Sequence, residues 1–188
     1  DYRYRVRGEF EHVMPAIQAI SQGVRVSHGR FAILGNHDPA TMAAPLETAG
    51  YRVLLNETVA LRRAGQAITL TGLDDVHYFY TDEAIRALRA EIEGFRIVLV
   101  HSPELIAEAA AAGVSLYLTG HTHAGQICLP GGWPIVSNAS AGRRFASGVW
   151  RHGAMTGFTS PGVGVSGLPV RFFSRGEATR LVLRRRAA

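Results

Sequence analysis

Lysine is missing from this 188-residue chain: all twenty of its basic residues are arginine, against fifteen acidic ones, for a net charge of +5. Such a one-sided choice reads as a compositional bias of the coding sequence. A nucleic-acid footprint needs basic residues on one face with aromatics between them. Here the arginines are scattered, apart from Arg143, Arg144 and the terminal "RLVLRRRAA". No specific nucleic-acid signal is read, and the terminal arginines are expected to give only a weak peripheral contact with an anionic membrane. Cysteine is reduced to Cys128, which excludes an internal disulfide and a thiolate zinc cage. Any metal must therefore be held by nitrogen and oxygen. Long apolar runs are lacking too: none approaches the roughly 18 residues of a membrane span. With 47% hydrophobic and 19% charged residues the balance is globular, and a soluble chain is expected. No signal or transit segment is visible, and the chain begins at Asp1 without a methionine. The expected localisation is cytoplasmic or peripheral to a membrane.

What the chain does contain is one repeated grammar. Four short apolar runs, "FAILGNHD", "ITLTGLDD", "IVLVHSPE" and "LYLTGHTH", each break abruptly into His, Asp or Asn. Between and before them lie amphipathic segments. In "EFEHVMPAIQAI", Phe10, Val13, Ile17 and Ile20 recur at helical spacing and Gly23 follows as a stop. "TMAAPLETAG" and "TDEAIRALRAEIEG" read as helices ending near Gly50 and Gly94, and in "SPELIAEAAAAG" Ser102 suits the cap and Pro103 the first turn. "TVALRRAGQAITLTG" reads as a hairpin turning at Ala64, Gly65 and Gln66, and the chain after residue 130 as short strands among Gly, Pro and Ser. Buried strands alternating with helices imply an α/β fold, whose ligands collect beyond the carboxyl ends of the strands. One core fits this length, so residues 1–188 are read as one domain.

Four polar strand ends delivered to one rim define the candidate site. Neutral imidazole is a common metal ligand. His121 and His123, one residue apart at a glycine-fenced turn, could reach one ion or two. His101 and the cluster Asn36, His37 and Asp38 sit at equivalent strand ends. An amide oxygen is a neutral ligand, and its NH₂ can donate to a phosphate. Two cations about 3.5–4 Å apart can generate hydroxide and clamp an in-line displacement at phosphorus. His37 is the candidate acid for the leaving oxygen.

Together, "GNHD", "VLVHSPE" and "GHTHAGQICLP", with a late "GLPVRFF" and an ending strand, resemble the calcineurin-like metallophosphoesterase superfamily, most of all a bacterial phosphodiesterase-like branch. The resemblance covers nearly the whole chain. It implies an α/β, four-layer sandwich of two mixed β-sheets flanked by helices, here missing its first strand or strands. It also implies a binuclear centre of two divalent ions (Mn, Zn or Fe) with a bridging hydroxide, acting on a phosphate ester substrate. Residue by residue, it assigns Asn36, His101 and His121 to the second metal, His123 to the first, and His37 to phosphate contact and general acid. Asp1 resembles the bridging aspartate of the family's "GD" motif.

Two departures accompany this. The family's first motif, an Asp-x-His, is absent, which leaves the first ion with Asp1 and His123. A second carboxylate after the bridging one is also absent until Glu9. The chain is therefore read as a partial, N-terminally truncated phosphoesterase domain, impaired or inactive as it stands. The other polar groups have plain readings: Asp74 and Asp75 as solvated turn carboxylates; His12, His28, His77 and His152 as surface or packing residues; Trp133 and Trp150 as packing residues, with "PGGWP" a candidate cleft wall. Two other classes fit some of these residues: a single-metal amide or ester hydrolase using His101, His121 and His123, and a non-catalytic metal-binding scaffold descended from the family. The truncation reading predicts that the 188-residue chain hydrolyses bis(p-nitrophenyl) phosphate far more slowly than a version extended upstream. Equal rates would overturn it.

Overall fold

The computed structural model describes Tyr2 and residues 9–63, 65–79, 81–136 and 141–184. Asp1, and Arg185 and Arg186 of the terminal basic cluster, lie outside the described residues. Ten strands are present among those described: β1 (Phe31–Ala32), β2 (Arg52–Val53), β3 (Glu57–Arg63), β4 (Gln66–Gly72), β5 (Phe95–Leu99), β6 (Leu116–Thr119), β7 (Cys128–Leu129), β8 (Trp133–Pro134), β9 (Gly148–His152) and β10 (Met155–Thr159). The α-helices are α1 (Met14–Gly23), α2 (Ala43–Thr48), α3 (Asp82–Arg89) and α4 (Ile106–Ala111).

Six strands form a mixed sheet in the order β3-β4-β5-β6-β10-β9. β4, β5, β6 and β10 run parallel to their neighbours, and β3 and β9 close the two edges antiparallel. The parallel centre follows from the sequence: "ITLTG", "RIVL" and "LYLT" are β-branched and apolar, and α3 and α4 supply the crossovers that parallel neighbours require. β1 and β2 pair in parallel as a separate two-stranded sheet, and β7 and β8 as a small hairpin.

Apolar side chains fall into three clusters. Ile17, Leu34, Met42, Leu46 and Val53 gather α1 and α2 on β1 and β2. Leu54 joins Leu70, Ile97 and Leu116, with Phe31 and Ile33 packed alongside, which seats the small sheet on the large one. Leu88, Val98, Ile106, Tyr117 and Trp150 bury the other face of the large sheet under α3 and α4. The sheets meet most closely at Gly72: a Cβ there would stand 2.3 Å from Leu54 Cβ and 3.0 Å from Ile33 Cγ2.

The fold is thus mixed α/β, as expected, with local differences. The hairpin forms where it was read, and Thr81 caps α3 by accepting from Ala84 N. α3 stops at Arg89, five residues before Gly94. Ile20 is exposed rather than on the buried side of α1. α4 starts at Ile106 after a left-handed Leu105, so Ser102 and Pro103 are not its cap and first turn. Ser102 is buried instead and donates to Glu104 Oε2 at 3.1 Å, and its carbonyl accepts from Tyr117 Oη. Burial beside Tyr117 outweighs a favourable local capping pattern. The expected final strand is also missing among the described residues: positions 175–184 form no strand.

Gly72→Ala is expected to lower stability by about 1–3 kcal/mol, the usual cost of forcing a methyl into a packed core. A urea midpoint matching that of the unmodified chain would show that the two sheets can separate there freely.

Candidate metal centre

β5 and β6 lie side by side and in parallel, so their carboxyl ends open on the same edge, and His101 and His121 follow those ends. The loop after β1 brings Asn36 to the same place. Asn36 Oδ1 stands 2.9 Å from His101 Nε2 and 3.1 Å from His121 Nδ1, and the two nitrogens are 3.0 Å apart. Asn36 and His101 are buried.

This triangle cannot be satisfied by its own hydrogen bonds. The amide oxygen only accepts, and each imidazole nitrogen carries at most one proton, so at least one of the three contacts must set either two lone pairs or two N–H protons against each other. A cation removes the conflict. Donors about 2.1 Å from an ion and about 90° apart stand about 3.0 Å from each other, which is the observed spacing. Among the described residues no group of three His, Cys, Asp or Glu could hold an ion. The amide oxygen completes this donor set.

The loop carrying Asn36 is tied by Asp38, whose Oδ2 accepts from Gly35 N at 2.9 Å and whose Oδ1 accepts from Tyr2 N at 2.7 Å. Asp38 thus serves the backbone of "GNHD" and docks the chain at Tyr2 against it. His37 lines the cleft shared with His121 and His123. The structure therefore brings Asn36, His101 and His121 into one donor set, with His37 and His123 facing the same space; Asp1 lies outside the described residues.

His123 is positioned by a different device. His121, His123, Ala124 and Gln126 all have left-handed backbones, with φ of 68°, 50°, 54° and 53°. Each such non-glycine residue costs roughly 1–2 kcal/mol. Several side chains hold this turn. Thr122 Oγ1 donates to Ala146 O at 2.6 Å. Gln126 Nε2 donates to Ser166 O and Leu168 O while its Oε1 accepts from Ser166 N. Cys128 Sγ donates to Ala124 O. At Gly125 (φ 80°) a Cβ would stand 2.2 Å from Pro134 Cβ, so only glycine fits under the β7-β8 hairpin. Arg171 donates to His123 O, Pro161 O and Gly164 O, lies 3.4 Å from His123 Nδ1, and shares Ser174 Oγ, which itself donates to His123 O. "AGQI" and the late "GLPVRFF" are thus two halves of one clamp.

Reading the residues one by one missed Gln126 and Arg171, and gave His77 no place beside the site. The His77 ring lies 4.5 Å from that of His121, and its Nδ1 is 2.9 Å from Glu104 Oε1. It is a packing residue, as expected, but it packs on a metal-ligand candidate. Asp75 is not solvated: it is buried and accepts from His77 N and Tyr78 N, which orders the loop carrying His77. The signal was available, because "LDDVH" is the polar exit of β4, which neighbours β5 in the same sheet.

The chain belongs to the metallophosphoesterase family. It is 30% identical over 175 residues to the uncharacterized metallophosphoesterase YkuE of Bacillus subtilis, covering 90% of this chain and 61% of that protein. It is 31% identical over 173 residues to an uncharacterized metallophosphoesterase of Helicobacter pylori, covering 85% of this chain and 44% of the relative. With phosphodiesterase YaeI of Escherichia coli it shares 29% identity over 163 residues, 81% of this chain and 57% of that protein. The chain thus spans about three fifths or less of the length of these curated relatives. No family model matches it, and no solved structure does.

Burial pushes His101 down to about 3 and His121 to about 3, the latter helped by His101 and His77. His123 is pushed to about 4 by burial and then by the Arg171 guanidinium. All three are neutral near pH 7, with lone pairs ready for a cation. In the unfolded chain imidazoles titrate at about 6.5. Below that pH the unfolded state binds more protons than the folded one, so stability falls with pH from about 6.5 toward about 3. The metal-free protein is expected to melt at a lower temperature at about pH 5 than at about pH 7.5. Equal midpoints would contradict the buried, neutral state of these imidazoles.

Proposed function

We propose that the chain is the site-bearing part of a metal-dependent phosphoric ester hydrolase acting on diesters at a binuclear centre, within the four-layer sandwich that the family resemblance implies. The observation that carries this is the Asn36, His101 and His121 triangle, which its own protons cannot satisfy. In this reading those three residues hold one divalent ion, and His123 with Asp1 belongs to the other. Bound ions of this kind lower the pKa of water and neutralise charge on phosphoryl oxygens.

The chain's own residues do the rest. With Asn36 Oδ1 turned to the histidines, Nδ2 can donate to a phosphoryl oxygen of the ester. His37, facing the same cleft as His121 and His123, delivers a proton to the oxygen that leaves. Arg171 and Ser174 keep His123 at the cleft by holding its carbonyl. Burial keeps the ligand imidazoles unprotonated, so protons do not compete with cations for them. Since Asn36, His101 and His121 are neutral donors, these three ligands cancel none of an ion's charge, and an anionic ester is drawn to this face.

In the version extended upstream, with manganese and bis(p-nitrophenyl) phosphate, His121→Ala and His123→Ala are expected to abolish turnover and lower the bound metal. His37→Gln should keep its metal while losing roughly 10²–10⁴ in kcat, the usual share of a general acid. Metal content and steady-state rates on the three variants check this. Normal turnover in both alanine variants, or a preference for acyl esters such as p-nitrophenyl acetate, would refute the assignment.

A further inference from the structure

Two clefts meet at the histidines. One, of about 480 Å³, holds His101 and Gly120 and is walled by residues 160–166. The other, of about 410 Å³, shares His37, His121, His123 and Ser166 with it and continues away from the triangle between Ile127, Ile135, Val136 and Leu168. Its size falls in the range of roughly 300–1,000 Å³ typical of small-molecule sites, far more than a phosphoryl group needs.

The walls of this second cleft offer little polar chemistry beyond the histidines. No Arg, Asp or Glu is among its described lining residues. Apart from the histidines and Ser166, its polar side chains are committed to the protein: the Gln126 amide bonds the backbone of Ser166 and Leu168 at both ends, and Thr122 Oγ1 donates to Ala146 O. Meanwhile Ile135, Val136 and Leu168 are 50%, 70% and 58% exposed, and neighbouring Trp133 is 67% exposed. Apolar surface left open beside a polar site is the mark of a surface that binds something. A ligand that continued as a second phosphate, a nucleobase or a sugar would lose hydration here without gaining partners.

We infer that this cleft receives the organic group of the ester, and that the group is an alkyl or acyl chain: the substrate is an amphiphilic phosphoester whose phosphoryl group sits at the histidines and whose chain lies along Ile127, Ile135, Val136 and Leu168. This rests on the reading of the histidine cluster as the phosphoester site. Gln126 is the hinge between the two halves, since it links the turn of His121 and His123 to the Leu168 wall.

The test is calorimetric binding of methyl, butyl and octyl phosphate, as monomers below their micelle concentrations, to the manganese-loaded protein extended upstream, with 1-octanol as the chain without the anion. Bis(p-nitrophenyl) phosphate turnover is measured in parallel. Each methylene that leaves water should tighten binding about two- to fourfold, so octyl phosphate should bind at least about 16-fold more tightly than butyl phosphate. It should be displaced by inorganic phosphate. Val136→Ser and Leu168→Ser, both at exposed positions, should compress the octyl-to-butyl ratio to below about fourfold. Butyl and octyl phosphate binding within twofold of each other, while the diester is still hydrolysed, would overturn the chain subsite and leave the phosphoesterase reading standing. Octanol binding as well as octyl phosphate, or octyl phosphate that phosphate cannot displace, would also overturn it, because the apolar surface would then be unconnected to the phosphoryl site. Failure of methyl phosphate to bind together with no diester turnover would remove both readings.

Discussion

Three polar atoms share a space that their own protons cannot reconcile, and much of this chain is arranged to keep them there. Asn36 Oδ1, His101 Nε2 and His121 Nδ1 come from three segments separated by 65 and 20 residues in sequence. Holding them together without a cation costs stability, because at least one contact sets two lone pairs or two N–H protons against each other in a partly dry site. The supporting structure supplies the compensation. The small sheet packs on the large one through Leu54, Leu70, Ile97 and Leu116, and Gly72 lets them approach closely enough to bring the β1 loop over the ends of β5 and β6.

The turn after β6 shows the same trade at shorter range. Left-handed backbone at His121, His123, Ala124 and Gln126 is unfavourable at each residue. It persists because Thr122, Gln126, Cys128, Arg171 and Ser174 each fix a backbone group of this turn or of the segments against it. The lone cysteine, excluded from a disulfide, is one of these ties. Arg171 has a second effect: its charge beside His123 adds to burial in holding that imidazole neutral. One side chain therefore holds the position of a candidate ligand and reinforces the protonation state that burial imposes on it.

How far the site could be read in advance followed from how local its causes are. Apolar runs ending in polar residues pointed to Asn36, His37, His101, His121 and His123; strand direction sends the residues after β5 and β6 to one edge, and packing of the small sheet on the large one brings the loop after β1 to it. The mixed α/β class and the 57–72 hairpin were legible for the same reason: period and turn chemistry are local. What failed depended on partners far along the chain. Ser102 has every local mark of a cap, yet its neighbours in space are Glu104 and Tyr117, and the helix begins later. The three residues whose link to the site was overlooked, His77, Gln126 and Arg171, act through contacts spanning 27 to 48 residues.

The ties that hold the ligands also decide what the cleft can recognise. A glutamine facing a ligand pocket ordinarily adds hydrogen-bonding capacity, but Gln126 has both ends of its amide engaged with the backbone of Ser166 and Leu168. It fixes the Leu168 wall relative to the histidines and at the same time withdraws its own polarity from that wall. Thr122 does likewise through Ala146. Both side chains are used to build the histidine turn, and beyond Ser166 the cleft offers imidazoles at one end and hydrocarbon at the other. In the proposed reading its two tasks are separated in space: charge is handled where the strands end, and selection among esters falls to the apolar wall beside it.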